Sequence, residues 1–109
     1  MNIHELKTDS PVFQQVLDGT KTFEIRKADR DFKPNDGLRL KETLYTGGEM
    51  AQGKPLVYTG REIVCLVLGV MTGPAYGLQD GWAILSIRPL VAAQPGGSTR
   101  AGGEGCRSI

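Results

Sequence analysis

"DSPVFQQVLDGTKTFEIRK", residues 9–27, changes its hydrophobic period midway, and that change decides how the chain is read. Ser10 is placed to cap a helix, and Pro11 suits the first helical position. Val12, Phe13, Val16 and Leu17 then fall on one helical stripe, and Gly19 supplies the left-handed stop. From Thr22 onward the period is two. Phe23 and Ile25 share one face, while Thr22, Glu24 and Arg26 share the other. Hydrophobicity alone directs Phe23 and Ile25 to the core and the charged face outward or into a cleft.

Outward from this stretch, the pattern continues as strands and turns. Ile3 and Leu6 suit a brief opening strand, and "DFKPNDG", 31–37, is turn chemistry. "LRLKETLY", 38–45, alternates with Leu38, Leu40 and Leu44 inward. The Gly and Pro spacing of "TGGEMAQGKPLVYTG", 46–60, predicts a mobile hairpin tip. "REIVCLVLGVM", 61–71, is apolar on both faces and belongs at the centre of a sheet. A second loop, "TGPAYGLQDG", leads into a last strand, "WAILSIRPL", 82–90. The expectation is an α+β protein: a small, mostly antiparallel β-barrel or strongly curved sheet with one packed N-terminal helix. Residues 1–92 form the domain, and the Gly-rich segment 93–109 is expected to be a disordered tail.

The bulk numbers narrow the function. A chain of 109 residues can bury one modest core without disulfides or metal. Its net charge of +1 creates no global field toward nucleic acid or membrane, so electrostatic binding requires a local patch. Two cysteines and one histidine offer no zinc-ligand spacing, and Cys65 reads as a small core residue. No metal or other cofactor is expected. The chain shows neither an apolar leader nor an 18-residue apolar run, which predicts a soluble cytoplasmic protein.

The local patch is the second half of the opening stretch. Lys21 is a point charge suited to phosphate, and Arg26 is a planar fork suited to phosphate, carboxylate or a base edge. Glu24 between them can accept from an exocyclic amine or take a proton. A strand with a solvated charged face and a surface ion pair accounts for the same pattern. His4 and Lys7 are candidates to face the same cleft, although a lone histidine is more often hydrogen-bonded structure. Asp29 and Asp31 read as turn caps, and Arg30 is open to either role. Tyr76, in a Gly-rich loop, is a candidate to stack a base, whereas Trp82 begins an apolar strand and reads as core. Arg61 and Arg88 fit a basic rim or a solvated surface equally.

Gly19, Lys21, Glu24 and Arg26 spell G-x-K-x-x-E-x-R, which resembles the signature of the ASCH superfamily, relatives of the PUA RNA-binding fold. "HELK" at 4–7, "FEIRKADRDF" at 23–32, "GREIV" at 60–64, "GPAYGL" at 73–78 and "GWAILSI" at 81–87 extend the likeness to a small uncharacterised ASCH-like family of bacteria and phages. The resemblance implies a PUA-like pseudo-barrel of five or six strands, with the signature lining a cleft that handles RNA or a nucleotide-like ligand. It also implies a rival function, since some small ASCH proteins are amidohydrolases of N4-acetylcytidine. In those, a lysine matching Lys21 acts beside a threonine nucleophile three residues on, with a later glutamate assisting. Here Glu24 stands in the threonine's place, and Glu62 is the one later glutamate expected within a strand. If the chain is an enzyme, Lys21 and Glu24 are its expected catalytic pair. A third reading is an accessory domain that binds another protein.

Overall fold

A computed structural model describes residues 1–93; of the expected tail, 93–109, all but Ala93 lies outside the described residues. Strand β1 (Ile3–Asp9) leads into helix α1 (Ser10–Asp18). Strands β2 (Phe23–Lys27) and β3 (Gly37–Thr43) follow, then a short helix α2 (Gly47–Ala51) and the long strands β4 (Tyr58–Thr72) and β5 (Trp82–Ala93). The sheet order is β1-β3-β4-β5-β2. β1 runs parallel to β3, and every other pairing is antiparallel. The result is an α+β fold, a five-stranded sheet curled into a half-barrel with a short N-terminal helix. Its two edges, β1 and β2, border an open seam.

The apolar β4 stretch occupies the middle of the sheet, as its two-faced hydrophobicity requires. Bulges where β4 meets β5, at Val64/Cys65 and Val67/Gly69, increase the local twist and help curl the sheet. The concave side packs Leu6, Leu38, Leu40, Ile63, Cys65, Val67, Ala83, Leu85 and Ile87. Phe13 and Val16 of α1 fill that bowl and are fully buried. Gly19 ends the helix with φ 82°, in the left-handed conformation that glycine adopts without strain. Burial pushes the Cys65 thiol up to about 12, with the charge of Glu24 adding to the effect, so it stays protonated as a core group.

The helix begins differently from its sequence signals. Asp9 occupies the N-cap position but makes no cap bond; its carboxylate accepts the Gly47 N–H at 2.9 Å. Ser10, expected as the cap, donates its hydroxyl to Glu42 at 2.7 Å. Glu42 also accepts from Thr59 and from both Nε and Nη2 of Arg61. This buried fork ties the start of α1 to β3 and β4, and it assigns Arg61 to scaffold rather than to a basic rim. The hydrogen bonds from Arg61, Ser10 and Thr59 hold the Glu42 carboxyl down to about 2.

Three expectations are corrected. Part of the stretch expected as a mobile tip, 46–60, folds into α2, because Thr46 and Glu49 form a reciprocal capping box. Leu44, expected inward, is 54 % exposed, because the register slips between Lys41 and Thr43. β5 continues to Ala93, one residue past the expected domain boundary. No helix among the described residues is long and apolar enough to cross a membrane.

Candidate functional site: the seam between the two sheet edges

β2 is inverted relative to the hydrophobic expectation. Glu24 is 2 % exposed, whereas Phe23 and Ile25 are 41 % and 47 % exposed. Register explains the inversion. Glu24 lies opposite Leu85 and Arg26 opposite Ala83, and both partners point into the bowl. Directly paired residues share a face, so Glu24 and Arg26 point inward with them. Phe23 and Ile25 lie opposite Ser86 and Ile84 on the convex face. At this edge the bowl ends in the seam, where charged groups meet water and each other.

Glu24 is held on both oxygens. Lys21 Nζ donates to Oε1 at 2.8 Å and Arg26 Nε donates to Oε2 at 3.0 Å. Lys21 also donates to the Phe23 carbonyl at 2.6 Å. Arg26 Nη2 crosses the seam to the Lys7 carbonyl at 2.7 Å and approaches Thr8 Oγ1 at 3.5 Å. Arg30 Nη1 reaches the Glu5 carbonyl, also on β1, at 3.4 Å. Thus two guanidiniums engage carbonyls along the free edge of β1, which blunts that edge against pairing with another strand. Capacity remains: a carboxylate accepts about four bonds, and Arg26 Nη1 has no partner among the described residues.

The seam opens into a cleft of about 480 Å³. Lys7, Lys21, Arg26, Lys27 and Arg30 line it, facing Asp9, Glu24 and Asp29. Leu6, Val12, Phe32 and Trp82 contribute apolar wall, and Phe23 and Ile25 border the cleft from the outer side of the β2 edge. Lys21, Glu24, Arg26, Lys7 and Arg30 of the sequence-derived candidates are therefore brought together. His4 and Tyr76 are not. His4 Nε2 sits 2.9 Å from Asp36 Oδ2, with its ring edge-on to Phe32 at 4.9 Å. Asp36 also accepts the Asn2 and Lys33 amides, so it caps the turn before β3. These bonds, His4's first, hold its carboxyl down to about 2. Tyr76 is 97 % exposed on the β4–β5 loop, away from the cleft lining.

Other assignments shift as well. Asp29 and Asp31, expected as turn caps, pair with Arg30 and Lys33; Arg30 holds the Asp29 carboxyl below its usual range. Glu62 is on the convex face with Arg39 and takes no part in the cleft. Trp82, expected in the core, is half-buried and lines the cleft. Thr8 is the residue that sequence reasoning passed over. It is 2 % exposed, and its place at an inward position of β1 was the signal available.

The chain belongs to the family described as "Domain of unknown function (DUF3850)", whose model matches residues 3–87. That match includes every cleft residue named above. The chain is also 37 % identical over 68 residues to an uncharacterised 12.9 kDa protein in the GpA 3′ region of Escherichia phage P2. The similarity covers 62 % of this chain and 53 % of the phage protein, so the chain spans about half the length of that relative.

Proposed function

We propose that the seam cleft binds RNA or a nucleotide-like ligand, with Lys21 and Arg26 receiving phosphate and Glu24 accepting from an exocyclic amine. The observation that carries this reading is the buried Glu24 carboxylate held between the half-buried Lys21 and Arg26, on a cleft of about 480 Å³ whose lining is cationic and partly aromatic. A cavity of that size suits a nucleotide. The half-barrel is consistent with the PUA-like fold that the signature resemblance implies, and RNA handling is that superfamily's usual assignment.

Amidohydrolysis of N4-acetylcytidine is the second reading. Its supporting observation is Thr8, whose hydroxyl the fold brings to the Arg26 side of the Lys21–Glu24 group, where the sequence offers no threonine at position 24. Titration of cytidine, CMP, AMP and UMP, with turnover of N4-acetylcytidine followed in parallel, tests both. A nucleoside monophosphate should bind, and Lys21→Ala should weaken it at least tenfold, about 1.4 kcal/mol, in protein that remains folded. Turnover abolished by Thr8→Val would favour the enzyme. Absence of binding and turnover across the whole panel would refute both readings and leave the array as scaffold.

A further inference from the structure

The lysines do not stop at the cleft. Lys7, on its rim, is the direct cross-strand partner of Lys41 on β3. Adjacent strands lie about 4.8 Å apart, and like charges set opposite one another destabilise a sheet. Neither ammonium has a carboxylate partner among the described residues. The carboxylate opposite Lys41 on its other side, Glu62, turns to Arg39 at 3.6 Å. Lys41 leans instead over the ring of Tyr58, with Nζ 4.5 Å from its centroid. Tyr58 is 43 % exposed at the start of β4. Asp9 borders the row, its Oδ1 engaged by the Gly47 amide.

We infer that a single-stranded nucleic acid leaves the cleft over this row, with one phosphate between Lys7 and Lys41 and the next base stacked on Tyr58. The inference rests on the nucleotide reading of the cleft and extends it from a single nucleotide to a strand. Two ammoniums side by side, neither in contact with a carboxylate, match one phosphodiester, and drawing Lys41 onto that phosphate would uncover the Tyr58 ring for the base. An exposed aromatic next to a cationic track is how sequence-tolerant single-strand binding is built. An acidic peptide would satisfy the lysines but has no use for the ring as a stacking platform.

Fluorescein-labelled oligouridylates of one, two, four and eight nucleotides test this by anisotropy, with poly-glutamate as competitor. Affinity should climb from one to four nucleotides and then level off. Lys41→Gln should narrow the ratio of octamer to mononucleotide affinity at least fivefold. It should also reduce the salt slope by about 0.7, the value of one single-strand phosphate contact. Tyr58→Ala should narrow the same ratio at least fivefold, and Tyr58→Phe should restore it, since stacking needs only the ring. Melting temperatures of the three variants establish that each is folded. If the mononucleotide binds as tightly as the octamer, the strand inference fails and the cleft reading stands. If no oligomer or monomer binds, both fail. Competition by poly-glutamate as strong as by unlabelled octamer would make the row a general anion surface and overturn the assignment to nucleic acid.

Discussion

Glu24→Gln should destabilise the protein more than Phe23→Ala, the reverse of what hydrophobicity along β2 implies. Taken from alternation alone, Phe23 is a core residue whose truncation costs ~3–5 kcal/mol, while Glu24 is half of a surface ion pair worth ~0–1 kcal/mol. The fold exchanges these roles. Phe23 is 41 % exposed on the convex face, so its loss opens no closed cavity; the cost should be about 1–2 kcal/mol, well below the core range. Glu24 is 2 % exposed and accepts from Lys21 at 2.8 Å and Arg26 at 3.0 Å. Glutamine keeps the shape but presents an amide to two cations and removes their counter-charge. Breaking one partner from a fully buried pair costs ~3–5 kcal/mol. The Lys21 and Arg26 side chains are 17 % and 26 % exposed and can take up cleft water, which lowers the figure to about 2–3 kcal/mol. Urea unfolding of both variants, read by midpoint and slope, measures the difference directly. If Phe23→Ala is the costlier change, Phe23 faces the core and the inverted strand is wrong.

Two further outcomes test the scaffold. Glu42 is depressed from 4.5 to about 2. A depressed carboxyl contributes stability that is present above its unfolded pKa and is lost as pH falls through the folded one. The fall corresponds to about 3 kcal/mol, so wild type should lose that much between pH 5 and 2, with Asp36 adding to the loss in the same window. Glu42→Gln should be less stable at pH 7 and show a shallower acid loss; parallel curves for the two proteins would refute the buried fork. At Gly73, a Cβ would collide with the Gln79 carbonyl, a backbone atom that cannot swing aside. Gly73→Ala should therefore cost about 2–4 kcal/mol by thermal or denaturant unfolding, and a neutral result would mean that the β4–β5 loop packs differently.

Much of the fold was legible in residue order. The helix from Ser10 to Asp18, its Gly19 stop, the central β4 and the α+β class follow from period, turn residues and the doubly apolar run at 61–71. Those are local properties, set by backbone sterics and by which residues water rejects. The grouping of Lys21, Glu24 and Arg26 was legible too, because they lie within six positions of one another. Which way that group faces was not. A period of two says that Glu24 and Phe23 point to opposite sides, but not which side is interior. That was decided by register with β5, where Leu85 and Ala83 fix the inward face and carry Glu24 and Arg26 with them. The same holds for residues distant in the chain. Thr8 and Lys7 reach the cleft only because β1 pairs with β3 and the sheet curls until its first and last strands confront each other across the seam. His4 was drawn away by Asp36, and Tyr76 was lifted off by its hairpin. The local pattern proposes a set of charged candidates. Long-range pairing, paid for by burial of the whole sheet, selects among them, because only the closed register determines which faces and edges meet.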